Sequence, residues 1–261
     1  MKKRRFFTIL VIFASIASVA GGQIYYNNKL EKTVYAAKRE LADKPIETEE
    51  KTNESVKEVV HFKNAPKDIS ERYNQKKAAG EVFAFHLIGS TNTSQDEGTW
   101  AKFFTSEMKN LYKEDISIQT SSFAKYTSTE LIKNKIYDDI TAIKADVVLI
   151  EPPLLNDNEG ISMKDTLYVL GNMIADIRTT NPESIILLQP SNPIYSPEKY
   201  AKQIAELEQY AKDQNVSYLN HWTSWPSVDS EEIKDYYDSN TLMPNEKGHK
   251  VWADYMISLF K

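Results

Sequence analysis

The chain has 261 residues, no cysteine and a formal charge of −5, and 41% of its residues are hydrophobic. This composition allows a substantial buried core and excludes a chain that is disordered throughout, while the lack of cysteine excludes thiol nucleophiles, iron–sulfur clusters and thiolate zinc sites. Lysine and arginine are dispersed beyond the N-terminus and form no basic stripe, so we expect no nucleic-acid partner.

The N-terminus combines a basic cluster with a long uncharged segment. Four consecutive basic residues begin at Lys2, and residues 6–28 contain no charged side chain. A hydrocarbon core of ~30 Å requires about 20 helical residues, and flanking basic clusters stay cytoplasmic. We therefore predict that residues 1–28 form a cytoplasmic basic cluster and a single-pass anchor in the cell membrane, with the C-terminal domain extracytoplasmic. The alternative is a cleaved secretory signal, because Ser18-Val19-Ala20 has the small-x-small form of a cleavage site.

Residues 29–80 differ in composition from the rest of the chain. They are rich in lysine and glutamate, contain few large apolar side chains and include Pro45 and Pro66. Such a segment buries too little apolar surface to offset the entropy lost on ordering. We interpret it as a charged spacer that is partly helical around residues 30–41. A coiled-coil stalk is the alternative, but the apolar positions do not sustain a heptad over three or four repeats.

Beyond residue 80, short apolar runs alternate with longer amphipathic stretches. The predicted strands are 82–88, 116–119, 147–150, 185–189 and 216–219. The predicted helices are 98–112, 128–140, 163–179, 197–214 and 246–260. This alternation is typical of βαβ units and predicts a parallel, doubly wound sheet. Ligands bind such sheets at the carboxyl ends of the strands, so functional residues are expected in the loops that follow them.

Four of those loops carry motifs in a definite order. The first strand runs into Gly-Ser-Thr-Asn-Thr at 89–93, and the third into Glu-Pro-Pro-Leu-Leu-Asn-Asp at 151–157. The fourth ends in Gln-Pro at 189–190, and Met-Pro-Asn-Glu-Lys-Gly-His at 243–249 opens the last helix. Together these blocks resemble the SGNH/GDSL hydrolase family, whose first block is Gly-Asp-Ser and whose last is Asp-x-x-His-Pro-Asn-x-x-Gly.

The resemblance implies both a fold and a chemistry. The fold is α/β, a flavodoxin-like doubly wound parallel five-stranded sheet with helices on both faces, over residues 81–261 and preceded by the transmembrane helix. In the family, a serine attacks an ester carbonyl, a histidine oriented by an aspartate removes its proton, and N–H groups with an asparagine stabilise the oxyanion. The resemblance implies neither a metal nor an organic cofactor.

Matching the blocks residue by residue assigns candidate site residues and shows departures. Ser90 stands in the column of the family's aspartate and Thr91 in that of its nucleophile, so either hydroxyl is a candidate nucleophile. Asn156 matches the oxyanion asparagine, and Asp157 beside it is expected to bind substrate. At the other end, Met243 stands where the histidine is expected and Asn240 where its aspartate would be. A thioether cannot accept and return a proton at neutral pH.

Another group must supply the base if the chain is active. His221 is the candidate, because it follows the fifth predicted strand and an imidazole has an unperturbed pKa of about 6.5. The alternative is a packing histidine beside Trp222 and Trp225, which are themselves interpreted either as a platform for sugar rings or as a structural lid. Asp238 is a further candidate if its loop is differently registered.

Other features have structural interpretations. Glu151 with its two following prolines is interpreted as a stiffened loop bearing a solvated carboxylate. Trp100, Phe103 and Phe104 recur at helical spacing and are expected in the core. The segment 121–127 lacks the glycine that the family's second block provides for the oxyanion.

Two functional hypotheses follow. The favoured one is a membrane-anchored ester hydrolase or acyl transferase outside the cell, acting on O-acyl groups of a cell-envelope polysaccharide, so that an acylated glycan or another ester is its partner. The alternative is a catalytically inactive binding or scaffold protein of the cell envelope. An active site requires a histidine or carboxylate within about 2.6–3.2 Å of the hydroxyl of Ser90 or Thr91.

Overall fold

The computed structural model describes residues 62, 64–134, 136–158 and 160–261. The predicted membrane anchor and most of the predicted spacer lie outside the described residues. None of the helices in the described part of the chain has the length and apolar character needed to cross a membrane.

The described residues contain a five-stranded parallel sheet. Its strands are β1 Phe83–Gly89, β2 Ile116–Ser122, β3 Val147–Ile150, β4 Ile185–Leu188 and β5 Ser217–Tyr218. They pair in the order β2-β1-β3-β4-β5, every pair parallel. The inner strands read as continuous apolar runs because both faces of the sheet are covered. The predicted doubly wound, flavodoxin-like sheet is confirmed.

Helices cover both faces of this sheet. They are α1 Lys67–Ala79, α2 Trp100–Tyr112, α3 Ser128–Lys133, α4 Ile136–Thr141, α5 Leu154–Asp157, α6 Met163–Thr180, α7 Glu198–Asp213 and α8 Glu246–Phe260. The single helix predicted over 128–140 is two helices. Asn134 ends α3, and its side-chain amide donates to the carbonyl of Glu130, as polar side chains do when they compete with helical hydrogen bonds.

Side chains of β1 alternate between two cores. Phe83, Phe85 and Leu87 pack into one cluster with residues of α2 and α8, whereas Ile88 joins a second cluster with residues of α6 and α7. This alternation follows from the two-residue period of a strand. The sheet is therefore held rigidly between two apolar layers, which fixes the positions of its carboxyl ends.

Helix α1 lies within the segment predicted as spacer. Ile69 and Tyr73 are fully buried in the first core, and Phe62 packs there against Tyr73 at a ring-centroid distance of 4.5 Å. Residues four apart share one helix face, so two apolar side chains suffice to dock a helix that is otherwise charged. The domain boundary predicted at residue 81 thus falls inside the folded unit.

Candidate active site

A pocket of about 370 Å³ opens at the carboxyl ends of the strands. Its lining residues come from the segments 90–92, 124–125, 153–156, 191–192 and 240–243. The first four segments follow β1, β2, β3 and β4, and the fifth precedes α8. The pocket therefore occupies the edge at which a doubly wound sheet binds its ligands.

A buried carboxylate lies behind this pocket. Glu151 follows β3 directly and is fully buried. Its Oε1 accepts from the Ser90 hydroxyl at 2.8 Å and from the Ser191 hydroxyl at 2.8 Å, and its Oε2 accepts from the Thr93 hydroxyl at 2.5 Å and from the backbone N–H of Ser90 at 3.2 Å. These donors meet because β3 lies between β1 and β4, which precede them. The interpretation of Glu151 as a solvated carboxylate is therefore wrong.

The environment of Glu151 sets its charge state. Burial raises the pKa of its carboxyl above the ordinary value, and the four hydrogen bonds from Ser90, Thr93 and Ser191 partly oppose that rise. Both carboxylate oxygens are thus fully hydrogen-bonded, while the group holds protons more readily than an exposed glutamate. Such a group is suited to accept a proton from a neighbouring hydroxyl.

Gly89 makes this close approach possible. A Cβ at this position would lie 2.3 Å from Oε2 of Glu151 and 2.4 Å from the hydroxyl oxygen of Thr93. Immediately after it, Ser90 caps a short 3-10 turn over Thr91–Thr93, accepting from the backbone N–H of Asn92 at 3.3 Å. Gly89, which matches the glycine of the family's first block, therefore leaves the space that the buried carboxylate occupies.

Both candidate nucleophiles line the pocket, with different hydrogen bonding. The Ser90 hydroxyl donates to Glu151, as described above. The Thr91 hydroxyl has no hydrogen-bond partner within the described ranges of the chain. Of the two, Ser90 alone has a proton acceptor in place.

Asn156 lines the pocket but uses its donors elsewhere. Its amide donates to the carbonyls of Ala124 at 3.3 Å and Tyr126 at 3.0 Å. These two carbonyls flank Lys125 in the loop after β2. Ala124 has a φ of 51°, the left-handed conformation that a glycine would adopt more readily. Asn156 thus holds this loop instead of pointing its N–H groups at a ligand.

Asp157 lies away from the pocket wall. It is fully buried and accepts from the backbone N–H and the hydroxyl of Ser128, at 2.8 and 2.5 Å, and from the hydroxyl of Thr166 at 2.6 Å. These contacts join the start of α3 to the first turns of α6. The geometry gives Asp157 a role in positioning helices and leaves it out of reach of a ligand in the pocket.

His221 is also packed inside the protein. Its Nε2 donates to the carbonyl of Pro190 at 3.0 Å, its Nδ1 accepts from the indole N–H of Trp225 at 3.0 Å, and its ring stacks on Trp252 at 4.1 Å. Burial lowers its pKa to about 3. His221 does not line the pocket. With both nitrogens engaged and the ring neutral at pH 7, this geometry matches the packing alternative.

The indole N–H groups of Trp222 and Trp225 are also hydrogen-bonded within the protein. The indole N–H of Trp222 donates to the carbonyl of Ser191 at 2.7 Å, and its ring packs on Tyr200 at 5.5 Å. Trp225 is buried and donates to His221. Neither tryptophan lines the pocket, and their contacts match the structural lid better than a sugar platform.

The loop at which the family carries its histidine and aspartate contributes neither here. Asn240 and Met243 line the pocket. The Asp238 carboxylate instead accepts from the backbone N–H groups of Asn240 at 2.7 Å and Thr241 at 3.1 Å, and these bonds lower its pKa. The amide of Asn192 donates to the carbonyl of Leu242 at 3.0 Å and so fastens the loop to the sheet.

The two remaining histidines of the described chain are structural as well. His86 in β1 is buried and its Nε2 lies 2.8 Å from the Ser121 hydroxyl, and burial lowers its pKa to about 4. His249 accepts from the backbone N–H of Trp100 at 3.2 Å, and burial again lowers its pKa to about 4. Within the described residues, Glu151 is therefore the only carboxylate or imidazole that hydrogen-bonds Ser90 or Thr91.

Neither a family model nor a curated protein sequence matches this chain. Several solved structures are similar in fold. Acetylxylan esterase Axe2 from Geobacillus stearothermophilus is 14% identical with a TM-score of 0.56, the match covering 68% of this chain and 94% of that one. A member of the lipolytic G-D-S-L family from Veillonella parvula is 14% identical with a TM-score of 0.53, covering 69% and 98%.

A third similar structure is the psychrotrophic esterase EstA from Pseudoalteromonas sp. It is 20% identical with a TM-score of 0.51, and the match covers 67% of this chain and 94% of that one. At these identities the likeness concerns the fold, and it spans nearly the whole of each similar chain. The C-terminal part of this chain therefore has the SGNH/GDSL hydrolase fold.

Proposed function

We propose that this chain is an ester hydrolase in which Ser90 is the nucleophile and Glu151 its base. The observation that carries the proposal is the 2.8 Å hydrogen bond from the Ser90 hydroxyl to Oε1 of Glu151 beside the pocket. It meets the distance at which a base can remove the proton of a nucleophile. Glu151 thereby takes the part that the family resemblance assigns to a histidine.

The reaction would proceed in two halves. As Ser90 Oγ bonds to the ester carbonyl carbon, its proton passes to Oε1 of Glu151. The C–O bond to the alcohol then breaks and the acyl group remains on Ser90. The proton passes from Glu151 to the leaving alcohol through the Ser191 hydroxyl, which lines the pocket and hydrogen-bonds Oε1 at 2.8 Å. Water repeats the sequence and releases the acid, while another alcohol in its place gives acyl transfer. The raised pKa of Glu151 favours the proton transfer from serine.

Backbone N–H groups are available for the developing oxyanion. Within the described part of the chain, the N–H groups of Thr91 and Lys125 have no hydrogen-bond acceptor, and both residues line the pocket. Thr91 immediately follows the nucleophile, the position from which the family draws one donor. Asn156 would contribute by holding the Lys125 loop, since its own amide is already bonded to that loop.

The substrate and location are proposed on separate grounds. Acetylxylan esterases are among the proteins of similar fold, which supports O-acyl groups of a polysaccharide as the substrate class. The uncharged segment 6–28 after a basic cluster supports a membrane anchor with the enzyme outside the cell. We therefore place the substrate in the cell envelope, as an acylated glycan.

A second candidate is a binding protein that retains the pocket without turnover. It is favoured by Met243, which lines the pocket at the position of the family's histidine, and by His221, whose two nitrogens are engaged internally. In that case Glu151 would serve only to order the turn after β1.

Turnover of p-nitrophenyl acetate by the purified full-length chain separates the two candidates. Ser90→Ala and Glu151→Gln are each expected to lower kcat/KM by about 10²–10⁴-fold. Ser94→Ala is the matched control, because it removes a hydroxyl that bonds to Asp96 away from the pocket. Labelling by a fluorophosphonate should fall on Ser90. Rates that are the same in the Ser90 variant and the parent would reject Ser90 as nucleophile, and background rates throughout would favour the binding protein.

A further inference from the structure

The wall of the pocket carries one charged side chain. Its polar groups are hydroxyls and carboxamides apart from Lys125, the single lining residue with a formal charge. The nearby carboxylate of Glu151 is fully buried behind Ser90 and does not line the pocket. The residues that line the pocket thus include one cationic residue and no acidic one.

The ammonium group of Lys125 is not committed to another part of the described chain. The side chain is exposed, and none of the ion pairs formed by the described residues includes it. By contrast, Lys102 at the start of α2 pairs with Glu97 at 2.9 Å. A ligand that binds Lys125 has no internal ion pair to displace.

The backbone that carries Lys125 is held against the pocket. Asn156 donates to the carbonyl on each side of it, those of Ala124 and Tyr126. Two residues before Lys125, the backbone N–H of Phe123 donates to the carbonyl of Gly89 at 2.8 Å. This bond connects the loop to the turn that bears Ser90. The lysine is therefore presented from a fixed point beside the nucleophile.

We propose that Lys125 selects substrates that carry an anionic group, a carboxylate or a phosphate, next to the ester. The inference rests on the proposed function, in that the ester is the one Ser90 attacks. An anion placed there forms a charge-assisted hydrogen bond with the ammonium group in a partly enclosed pocket. A neutral substrate of the same shape lacks that bond. The preferred substrate is thus an acylated glycan whose acylated unit carries a carboxylate or a phosphate.

Paired esters test the selection kinetically. Mono-4-nitrophenyl succinate carries a carboxylate on its acyl group, and its methyl ester is a neutral counterpart with the same leaving group. We expect the parent to favour the anionic ester by about 3- to 10-fold in kcat/KM. Lys125→Ala should abolish that preference, measured as the ratio of the two kcat/KM values, whereas Lys125→Arg should retain it. Lys144→Ala is the control, because Lys144 is exposed just before β3, at the opposite edge of the sheet.

Binding without turnover separates this proposal from the proposed function. Ligand-observed NMR compares methyl β-glucuronide, glucose 6-phosphate and methyl β-glucoside with the parent and the Lys125→Ala protein. Stronger binding of either anionic sugar, lost in Lys125→Ala and weakened by added salt, supports the selection even if no ester is hydrolysed, and shows which anion is preferred. Equal binding of the three sugars, or an ester preference that survives Lys125→Ala, overturns it.

Discussion

The ends of β3 and β5 each carry a buried titratable side chain, and the two differ in what they contact. Glu151 after β3 hydrogen-bonds a hydroxyl of the pocket wall. His221 after β5 bonds only to Pro190 and Trp225 and stacks on Trp252. Burial raises the pKa of the acid and lowers that of the imidazole to about 3. Desolvation thus makes the carboxylate a better base and the histidine a poorer one, whatever their ordinary chemistry.

Gly89→Ala should disrupt the contacts of Glu151 after β3, and we expect it to have the largest effect. The new methyl group would lie 2.3 Å from Oε2 of Glu151, so the carboxylate or the turn after β1 must move. We expect the free energy of unfolding to fall by about 3 kcal/mol, with turnover lost in the molecules that fold. Urea unfolding followed by fluorescence measures the first effect. Gly160→Ala is the control, since nothing lies within 4 Å of a Cβ at that position.

His221→Ala should remove the packing and hydrogen bonds of the histidine after β5 and so lower stability without affecting the pocket. It would leave the buried indole N–H of Trp225 without its acceptor and open a cavity beside Trp252. We expect a loss of about 2–3 kcal/mol in the free energy of unfolding and little change in turnover per folded molecule. His221→Gln keeps an amide donor near the carbonyl of Pro190 and should recover part of the stability. A folded His221→Gln protein that has lost its turnover would return His221 to the candidate bases.

The contributions of His221 and Glu151 to the free energy of unfolding should also change with pH in opposite directions. His221 has a lowered pKa in the folded chain, so its contribution to stability is lost as pH falls from about 6.5 towards 3. Glu151 has a raised pKa, so its contribution is lost as pH rises above about 4.5. Each effect is at most about 1.4 kcal/mol per pH unit.

The contribution of each group is isolated by comparing the free energy of unfolding of the parent and of a variant at several pH values. The stability advantage of the parent over His221→Gln should shrink between pH 6.5 and 4, whereas that of the parent over Glu151→Gln should shrink as pH rises from 4.5 to 7. His86 and His249, whose pKa values are also lowered, are present in every protein and cancel. Parallel stability curves for the parent and Glu151→Gln would show that Glu151 ionises in the folded chain as it does in the unfolded one.

Much of the fold could be predicted from the sequence, because buried parallel strands are continuous apolar runs. The predicted strand 147–150 and the predicted helix 246–260 have the same bounds in the structure. The docking of α1 could not be predicted, since only Ile69 and Tyr73 of that charged helix enter the core. Its burial depends on Phe62 and on side chains far along the chain, which no local pattern reveals.

The candidate site was predicted in position and only partly in chemistry. The motif after β1 places Ser90 at the edge of the sheet where the pocket lies, because the carboxyl ends of parallel strands meet at one edge. The contact between Glu151 and Ser90 could not be predicted, since the burial of Glu151 depends on hydroxyl donors separated from it by 40 and 58 residues, Ser191 and Thr93. A signal was present: β3 lies between β1 and β4, and hydroxyl residues follow both of those strands.

The smallest effect is expected from Met243→His, which places an imidazole where the family carries one. Met243 is half-buried on a loop of largely exposed residues, so the free energy of unfolding should change by no more than about 0.5 kcal/mol. Asn240 offers no carboxylate to orient the new ring, and the Ser90 proton is already directed to Glu151. Turnover of p-nitrophenyl acetate should therefore stay within about twofold of the parent, well below the 10² or more that a working base supplies.

A strong gain in the Met243→His protein would reverse the assignment made from the hydrogen bonds. It would mean that the loop side of the pocket retains the family's geometry and needs only its base. Combining the variant with Ser90→Ala and, separately, with Thr91→Val then identifies the hydroxyl it activates. Activity that survives loss of the Ser90 hydroxyl and disappears with that of Thr91 would make Thr91 the nucleophile, and Glu151 would remain as the buried group that orders the turn after β1.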